Sequence, residues 1–387
     1  MVSLFELCSF LPYACVASHS VQRFELSAPA DHIARAISAA DLSGSGALDV
    51  LLATDVGLFW LENLGDNRFS EHRAISVENT KASCAVDYDL DGRLDVVALF
   101  EDPGVPSPGM LAQRVGFFRN SGPQDSPSFL LSSTVLLDIE SADVLVCSDV
   151  DSDSDADMLI RSSTTPSSIF YHESSGSVPA SLSQVELTST HRSSVLLSGD
   201  VDNGGMQEVI TTRQRSPTSF DFIAISDAFA FFPREQTLFS NIAVPQPSSI
   251  VLAQVGDLNG DSRLDIVWCS GKTLAWLEQT QPLMFTMHGF LELSSDCIEL
   301  QAADFDNDGD VDILTLLHTA PSSQIDVYEN LGGGDFAPAG RVVADGGSDV
   351  LETFYVAEIF DGHRDILAGG GADTQSVLYS FGAFEIH

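Results

Sequence analysis

Short apolar runs separated by clusters of turn residues follow one another along the whole chain. In the first repeat of this pattern the runs lie at residues 37–40, 50–53, 57–63 and 69–75. β-branched and aromatic residues are enriched in such runs, and Gly, Pro, Asn and Ser bound them, which is typical of short β-strands. The i, i+3, i+4 spacing of an amphipathic helix is hard to find anywhere in the sequence. The pattern therefore predicts an all-β protein.

The four-strand pattern recurs roughly every 50 residues, which indicates stacked or radially arranged units. The third run, residues 57–63, returns in related form at 274–278 and 325–330. Seven repeats of four short strands predict a seven-bladed β-propeller of four-stranded antiparallel blades. A linear β-solenoid is the alternative. We expect the ring to be closed by an N-terminal strand at residues 23–26, because the last repeat supplies only three strands of its own.

Each predicted first strand leads into a short loop whose acidic residues fall on fixed odd-numbered positions. In residues 304–312, aspartates hold the first, third, fifth and ninth positions, and Gly309 holds the sixth. These carboxylates would repel one another unless they surround a cation, and Ca²⁺ takes about six to eight oxygen ligands in such loops. A glycine at the sixth position allows the backbone to turn with positive φ. The loop therefore predicts a site for a hard divalent cation.

The same spacing occurs seven times along the chain, with differing completeness. Four copies carry a carboxylate or carboxamide side chain at all four positions: Asp87, Asp89, Asp91 and Asp95; Asp149, Asp151, Asp153 and Asp157; Asp257, Asn259, Asp261 and Asp265; and Asp304, Asp306, Asp308 and Asp312. The first copy uses two hydroxyls and consists of Asp41, Ser43, Ser45 and Asp49. The fourth copy, with Asp200, Asp202 and Glu208, lacks a side chain at the fifth position. The last copy keeps only Asp361 and Asp365, and we expect no metal there.

Composition limits the partners that this chain can have. The 387 residues include 56 acidic and 17 basic side chains, which gives a formal net charge of −39. Five bound dications would bring that charge to about −29, so cation binding accounts for only part of the excess. Since nucleic acids and anionic membranes both require a basic surface, we expect neither as a partner. No apolar stretch reaches the ~18 residues of a membrane-spanning helix, so we expect no membrane insertion.

The six cysteines do not predict a disulfide framework. Cys84 and Cys147 stand just before acidic loops and Cys269 follows an apolar run, which favours burial as small core residues. Cys8 and Cys15 could pair, although nothing in the sequence requires it. No C-x-x-C motif occurs, so we expect no zinc site.

Residues 1–20 precede the first predicted strand and are interpreted as a signal peptide or a disordered leader. Residues 4–17 are mostly apolar, and Cys15 and Ala17 are small residues at positions suited to signal peptidase. The lack of Lys or Arg before the apolar segment and the presence of Glu6 within it are untypical of a signal peptide. Residues 21–387 form a single propeller domain in this interpretation.

The acidic loops, together with the phrase [Trp/Tyr]-x-Glu-Asn at residues 60–63, resemble the FG-GAP/VCBS repeat family. That family includes the integrin α-subunit propeller and fungal lectins with seven blades. The resemblance extends from about residue 21 to the end of the chain, and it implies Ca²⁺ in about four to five loops. It also implies a backbone carbonyl ligand at the seventh loop position, here Arg93, Asp155, Arg263 and Asp310. The family's roles imply recognition or adhesion outside the cell or at its surface.

Other chemistry is hard to find in the sequence. Neither G-x-S-x-G nor H-E-x-x-H occurs, and the Gly-Lys-Thr at 271–273 lacks the rest of a phosphate-binding loop. Trp60, Trp268 and Trp276 could stack on sugars, but their position in predicted strands favours packing. We therefore predict a calcium-binding, non-catalytic propeller that recognises a glycan or protein ligand. A polysaccharide lyase or hydrolase on the same scaffold and a purely structural module are the alternatives, and the sequence leaves the ligand and the oligomeric state open.

Overall fold

The computed structural model describes residues 21–25, 34–65, 68–75, 79–107, 110–122, 127–136, 141–162, 169–172, 185–188, 195–226, 234–244, 251–319, 322–343, 350–360, 363–372 and 375–381. Within these ranges the regular elements are β-strands, so the prediction of an all-β protein is confirmed. No helix long and apolar enough to cross a membrane occurs in them. The predicted leader, residues 1–20, lies outside the described residues.

Six four-stranded sheets are each formed by four consecutive strands, and we call them blades one to six. Their strands are, for blade one, β2 Ala34–Ala40, β3 Asp49–Thr54, β4 Gly57–Asn63 and β5 Phe69–Ile75; for blade two, β6 Thr80–Val86, β7 Asp95–Ser107, β8 Met110–Asn120 and β9 Phe129–Leu136; for blade three, β10 Ala142–Ser148, β11 Asp157–Ser162, β12 Ile169–His172 and β13 Val185–Thr188; for blade four, β14 Leu196–Gly199, β15 Glu208–Ser216, β16 Ser219–Ser226 and β17 Arg234–Ala243; for blade five, β18 Leu252–Gly256, β19 Asp265–Ser270, β20 Thr273–Gln281 and β21 Met284–Glu292; and for blade six, β22 Cys297–Ala303, β23 Asp312–Thr319, β24 Ser322–Asn330 and β25 Phe336–Val343. Strands that follow one another run antiparallel, as where Val50 pairs with Leu61 in blade one. The predicted four-stranded antiparallel blades are confirmed.

A further four-stranded sheet combines both ends of the chain, and we call it the terminal sheet. Its order is β1 Val21–Glu25, β28 Gln375–Phe381, β27 His363–Ala372 and β26 Val350–Phe360. β1 is antiparallel to β28, with Val21 opposite Phe381 and Glu25 opposite Val377. The structure thus has six blades that are continuous in sequence, and the predicted number of seven is not confirmed, because the last repeat supplies only three strands of its own.

The chain divides into two compact units, which we describe separately. The first unit comprises Met1–Ile37, Leu252–Glu278 and Met287–His387, and the second comprises Ser38–Val251 and Gln279–Thr286. In the first unit, Leu314 of blade six and Phe354 of the terminal sheet belong to one buried cluster. In the second unit, Leu99 of blade two and Ile160 of blade three do the same. Apolar side chains thus form cores between successive sheets within each unit.

Burial differs systematically between the strands of a blade. Every residue of β3 and of β19, the second strands of their blades, is buried. By contrast, most residues of β17, the fourth strand of blade four, are exposed. A strand buried on both faces is apolar without alternation, which explains why the runs after the acidic loops are the most continuous in the sequence.

Two disulfide bonds join strands of neighbouring blades, and the prediction of unpaired core cysteines is wrong. They link Cys84 of β6 to Cys147 of β10 and Cys269 of β19 to Cys297 of β22, with Cα–Cα distances of 6.3 and 6.4 Å. The partners lie 63 and 28 residues apart, so their spacing along the chain gives no signal. The blade arrangement brings their strands together. Cys8 and Cys15 lie outside the described residues.

One carboxyl group links blade six to the terminal sheet in the first unit. Glu299 on β22 accepts hydrogen bonds from the backbone N–H of Phe354 at 2.8 Å and from the hydroxyl of Thr353 at 3.2 Å. Burial raises the pKa of Glu299 to about 8, more than these donors lower it. No sequence pattern predicts this contact, because Glu299 stands in an otherwise ordinary first strand.

Candidate metal-binding loops

Six acidic loops connect the first strand of each blade to its second strand. We number them by blade as residues 41–49, 87–95, 149–157, 200–208, 257–265 and 304–312, all of which are described. The prediction that the acids lie between these two strands is confirmed. The corresponding connection of the terminal sheet, with Asp361, lies outside the described residues.

Two backbone positions turn every loop. Positive φ occurs at the fourth residue, namely Gly44, Leu90, Ser152, Asn203, Gly260 and Asn307, and at the sixth, namely Gly46, Gly92, Ser154, Gly205, Ser262 and Gly309. The sequence predicts the sixth position through its glycines. It does not predict the fourth, because four residue types share that position. Leu90 in a left-handed conformation is unusual, and the hydrogen bonds of the loop hold it there.

The first acid of a loop folds the loop around itself. In loop two, the carboxylate of Asp87 accepts the backbone N–H of Asp91 at 3.0 Å and that of Gly92 at 2.8 Å. The first acids of loops one, three, four and five bind the equivalent N–H groups. Such local carboxylate–backbone bonds stabilise tight turns. The first acid therefore has a structural role of its own.

The ninth acid is buried in every loop: Asp49, Asp95, Asp157, Asp265 and Asp312 are 0% exposed and Glu208 is 3% exposed. In loop six, Asp312 accepts the N–H of Phe305 at 2.8 Å and that of Asn330 at the end of β24 at 2.8 Å. The same acceptor position recurs in the terminal sheet, where Asp365 accepts the N–H of Ile359 at 3.2 Å. The ninth acid therefore joins the loop to its blade even where the other acids are missing.

The asparagine that ends the third strand extends this network to the preceding blade. In blade two, Asn120 donates through Nδ2 to the carbonyl of Leu42 in loop one at 3.4 Å. In blade six, Asn330 donates to the carbonyl of Leu258 in loop five at 2.8 Å. Each pair lies within one compact unit. The asparagine at the end of the third strand thus contributes a contact between blades that the local sequence pattern does not predict.

Burial shifts the ionisation of the ninth acids. It raises the pKa of Asp95 to about 6, and the nearby carboxylates of loop two act in the same direction. It also raises the pKa of Asp312 to about 6, with backbone donors opposing the shift. The pKa values of Asp49 and Glu208 are raised for the same main reason. A cation near these groups would favour their charged form.

Three carboxylates converge in each of four loops. Oxygen atoms within 4.8 Å of one another come from Asp87, Asp89 and Asp95; from Asp149, Asp151 and Asp157; from Asp200, Asp202 and Glu208; and from Asp304, Asp306 and Asp308. Loops one and five, both fully described, show no such group of acids. Loop four was the less complete match in sequence, but the structure brings its three acids together. The assignment of individual ligands, including the carbonyls at the seventh position, stays a prediction.

Buried oxygen atoms without hydrogen-bond partners test whether a cation fits these loops. Asp89 Oδ1 and Asp95 Oδ2 in loop two, and Asp304 Oδ1 in loop six, are buried and have no partner among the described residues. Leaving a buried carboxylate oxygen unpaired is costly, whereas a hard cation would satisfy it. Loops two and six therefore fit a Ca²⁺-like ion, because their donors are carboxylate oxygens and some of these buried oxygens have no hydrogen-bond partner among the described residues.

Two arginines contact the acids of loop two; the Arg93–Asp91 pair recurs as Arg263–Asp261 in loop five, and Arg119 has no such counterpart at that position in blades one, five and six. Arg119 on β8 binds Asp89 through Nε at 2.7 Å and Asp91 through Nη2 at 3.0 Å. Arg93 also pairs with Asp91, and this hydrogen bond is the main reason that the pKa of Asp91 is lowered to about 2. Asp91 is the predicted ligand that is absent from the converging group of loop two. Its carboxylate is turned to the guanidinium groups instead.

The three tryptophans are buried, as the packing interpretation predicted. Trp60, Trp268 and Trp276 are 4%, 0% and 7% exposed. Trp276 stacks on His288 with ring centroids 4.7 Å apart, and a Cβ placed on Gly334 would lie 2.5 Å from the indole. Neighbouring groups therefore pack closely against the ring of Trp276.

An open cavity of about 290 Å³ lies between blades five and six in the first unit. Leu291 and Ser294 line it on one side, and Asp326 and Arg341 on the other. Arg341 holds Asp326 through two hydrogen bonds of 2.6 and 3.1 Å. Fixed polar groups beside apolar walls are typical of small-molecule sites.

Comparison with known proteins identifies the repeat and the fold. Residues 41–98 and 257–315, which contain loops one, two, five and six, match the sequence model of the FG-GAP-like repeat. An Agrocybe aegerita lectin, described as recognising non-reducing terminal N-acetylglucosamine, has 15% identity and a TM-score of 0.56, covering 82% of this chain and 80% of its own. BBS1N, solved in complex with ARL6DN, has 10% identity and a TM-score of 0.60, covering 95% of this chain and 97% of its own. No curated protein sequence matches the chain. At these identities the structural similarities establish the β-propeller fold alone.

Proposed function

We propose that this protein is a calcium-binding, non-catalytic β-propeller that recognises a ligand outside the cell or at its surface. The observation that carries the proposal is the convergence of three carboxylates in each of four loops. The buried, unpaired oxygens of Asp89, Asp95 and Asp304 support it, because they call for a positive partner. The match of two segments to the FG-GAP-like repeat supports it as well.

The residues of the loops would divide the work of holding an ion. The first acid shapes the turn, the ninth acid fixes the loop to its blade, and the third acid brings further oxygens, together with the fifth acid in loop six. Bound Ca²⁺ would supply the positive charge that lets these acids stay close together. Extracellular modules bind Ca²⁺ at roughly 10⁻⁴–10⁻³ M, so such sites would be filled outside a cell. Loops two, three, four and six are the proposed principal sites, and loops one and five are weaker candidates.

An extracellular setting agrees with the covalent structure. The disulfides Cys84–Cys147 and Cys269–Cys297 are of a kind that forms and persists in oxidising compartments. The acidic excess remains even after cation binding is allowed for, which agrees with a surface that does not engage nucleic acid.

For the ligand we propose a glycan or a protein. The lectin that shares the fold binds a sugar, and BBS1N was solved with a protein partner. The cavity beside Asp326 and Arg341 is the place where a sugar would find fixed polar groups and apolar walls together. The fold by itself does not choose between the two ligand classes.

We further propose that the terminal sheet is the seventh blade and that β1 closes the ring. The in-register pairing of β1 with β28 supports this, because a ring without that strand would leave an open edge. Deleting residues 1–25 should then lower the melting temperature by several degrees. An unchanged melting temperature would count against closure.

Thermal unfolding in CaCl₂ and in chelator tests the calcium proposal. Ca²⁺ at about ten to a hundred times its Kd should stabilise the native state by about 1.4–2.7 kcal/mol per site. Asp304→Asn with Asp306→Asn should remove the share of loop six, whereas Asp335→Asn, an exposed aspartate outside the loops, should leave the shift unchanged. Equal melting temperatures in both buffers, with no heat of Ca²⁺ binding, would refute calcium binding.

Recognition is tested separately, on a glycan array and in a polysaccharide-degradation assay. Binding without product formation supports the proposal, and Arg341→Ala should weaken it if the cavity is the site. Product formation without stable binding would favour the lyase or hydrolase alternative.

A further inference from the structure

One position on the third strand faces the acidic loop of its blade, and its charge differs between blades. In blade two, for example, Phe118 pairs with Val96, so the next residue of the third strand, Arg119, lies opposite the ninth acid, Asp95. The same register places three glutamates opposite the ninth acids of loops one, five and six, namely Glu62, Glu278 and Glu329. We call this the facing position. Three of these four blades carry glutamate there, and blade two carries arginine.

Side chains at the facing position reach the loop. In blade five, Asn259 Nδ2 of the loop donates to Glu278 at 3.4 Å. In blade two, Arg119 contacts Asp89 at 2.7 Å and Asp91 at 3.0 Å. These partners occupy the third and fifth loop positions, where the sequence predicts metal ligands. The facing position therefore acts on the oxygens that would bind a cation.

Loops two and six represent the two extremes of charge. Four aspartates with Arg93 and Arg119 give loop two and its facing position a formal charge of −2. Five aspartates with Glu329 give loop six and its facing position −6. Burial and the charges of Asp306 and Asp308 raise the pKa of Glu329, as expected for a carboxylate beside the loop acids.

We propose that Arg119 is a built-in counter-cation of loop two that weakens its affinity for a divalent cation, while Glu329 at the same position strengthens that of loop six. The inference rests on the proposed calcium function. Loop two still needs an ion, because Asp95 is 0% exposed and its Oδ2 has no partner among the described residues. Arg119 satisfies Asp89 Oδ2 and Asp91, but it leaves Asp89 Oδ1 and Asp95 Oδ2 unmet.

Direct charge competition sets the size of the effect. A guanidinium and a dication held by the same carboxylates repel each other, and removing one unit charge a few ångströms from a dication changes its affinity by about tenfold at a protein surface. Arg119 is 46% exposed, so its side chain can be replaced without opening the core. The ranking of sites is thus set by a residue outside the nine-residue loop.

The experiment uses Tb³⁺, which replaces Ca²⁺ at oxygen sites and luminesces when a nearby tyrosine is excited. Tyr88 is the second residue of loop two, and the other five loops carry Leu42, Val150, Val201, Leu258 and Phe305 at that place. The part of the luminescence that Tyr88→Phe removes therefore reports on loop two. Displacing Tb³⁺ with Ca²⁺ then gives the Ca²⁺ affinity of that loop.

Arg119→Gln should tighten Ca²⁺ binding at loop two about tenfold, and Arg119→Glu more than that. The matched control is Arg114→Gln, which removes the same charge from the same strand at a residue that binds Thr134 instead of a loop acid. Arg93→Gln is a second variant, with an expected effect in the same direction. Circular dichroism confirms that each variant is folded.

Unchanged or weaker binding in Arg119→Gln and Arg119→Glu would overturn the inference, and so would an equal gain in Arg114→Gln. In those cases calorimetry still finds Ca²⁺ binding at the other loops, so the proposed function survives. If calorimetry finds no Ca²⁺ binding to the wild type or to any variant, the proposed function and this inference fail together.

Discussion

Loops two and six share one backbone design and differ in what surrounds it. Both turn with positive φ at the fourth and sixth residues, and both bury the ninth acid completely. Loop two, however, is met by Arg119 from the third strand, whereas loop six is met by Glu329. The comparison separates two roles of the acids: some build the loop, and others are available to a cation. Only the second role depends on the facing residue.

The largest expected effect concerns the covalent links near the two loops. The Cys84–Cys147 disulfide joins residues 63 positions apart, and the segment between them contains loop two. The Cys269–Cys297 disulfide joins residues 28 positions apart, and its segment ends before loop six. Replacing either pair by alanine should cost about 4 kcal/mol, slightly more for the longer loop, because the unfolded chain regains freedom. Urea unfolding of both double variants measures this. A loss below about 1 kcal/mol for either pair would show that its strands are held by packing alone.

Asp95 and Asp312, the ninth acids of loops two and six, should contribute equally to the free energy of unfolding. The difference between the two loops would then lie in their other acids. Asp95→Ala and Asp312→Ala each leave a buried backbone N–H of Asn120 or Asn330 without its acceptor. We expect each to cost about 3 kcal/mol in chelator, where no metal can contribute. Asp308→Ala, at an exposed position of loop six, should cost less than about 0.5 kcal/mol in the same buffer. Equal losses at Asp312 and Asp308 would contradict the structural role.

The pH dependence of stability in chelator should reflect the same acids. Burial raises the pKa of Asp95 and of Asp312 to about 6 in the folded state, from an ordinary value of 3.8. The contribution of each group to the free energy of unfolding is therefore fully present below pH ~4 and is lost as the pH rises through ~6, a loss of about 3 kcal/mol per group. Asp312→Asn should remove its share of the slope between pH 4 and 7.

Calcium and a second carboxyl group provide the controls for this pH experiment. Ca²⁺ should flatten the wild-type slope, because it favours the charged acids. The slope that Glu299 contributes, with a pKa raised to about 8, should persist in Asp312→Asn and disappear in Glu299→Gln. A wild-type stability that rises between pH 4 and 7 in chelator would be inconsistent with these shifts.

The smallest expected effect belongs to the facing residue of loop six. Glu329→Gln should reduce the stabilisation by Ca²⁺ by about 1 kcal/mol, because one carboxylate near Asp306 and Asp308 is lost. Stability in chelator should stay the same or rise slightly, since repulsion is relieved. Differential scanning calorimetry at matched Ca²⁺ concentrations measures both quantities, and Glu358→Gln in the terminal sheet is the exposed control. A loss of stability in chelator would assign Glu329 to the fold instead.

Much of the fold could be predicted from sequence because its signals are local. Continuous apolar runs such as β3 and the odd-numbered acids each repeat within a few residues, so strands and loops were found. The disulfide between Cys84 and Cys147 could not be predicted in this way, because its partners meet only when two blades are side by side. The contact of Glu299 with Thr353 and Phe354 was missed for the same reason.

The candidate sites were predicted as sets of acids, without their ranking. The signal for the ranking was present in sequence, because Phe118-Arg119-Asn120 replaces the Glu-Asn phrase found at Glu62-Asn63 and Glu329-Asn330. The effect of this replacement on the loop could be inferred only from the strand register, which places Arg119 opposite Asp95. In loop four the sequence pattern predicts a weaker site than the structure shows, because Glu208 at the ninth position has its carboxylate near those of Asp200 and Asp202.

The asparagine contacts between blades all run from one blade to the blade that precedes it in the chain, so each of these blades stabilises its predecessor. Asn120 and Asn330 each belong to one blade and hold a carbonyl of the blade before it, so a repeat that loosens removes a support from its predecessor. In arrays of repeats, nearest-neighbour terms of this kind decide how far local opening spreads. An ion bound in one loop would therefore slow amide exchange in the adjacent repeat too, and cation loss at a single site would be sensed beyond its own sheet.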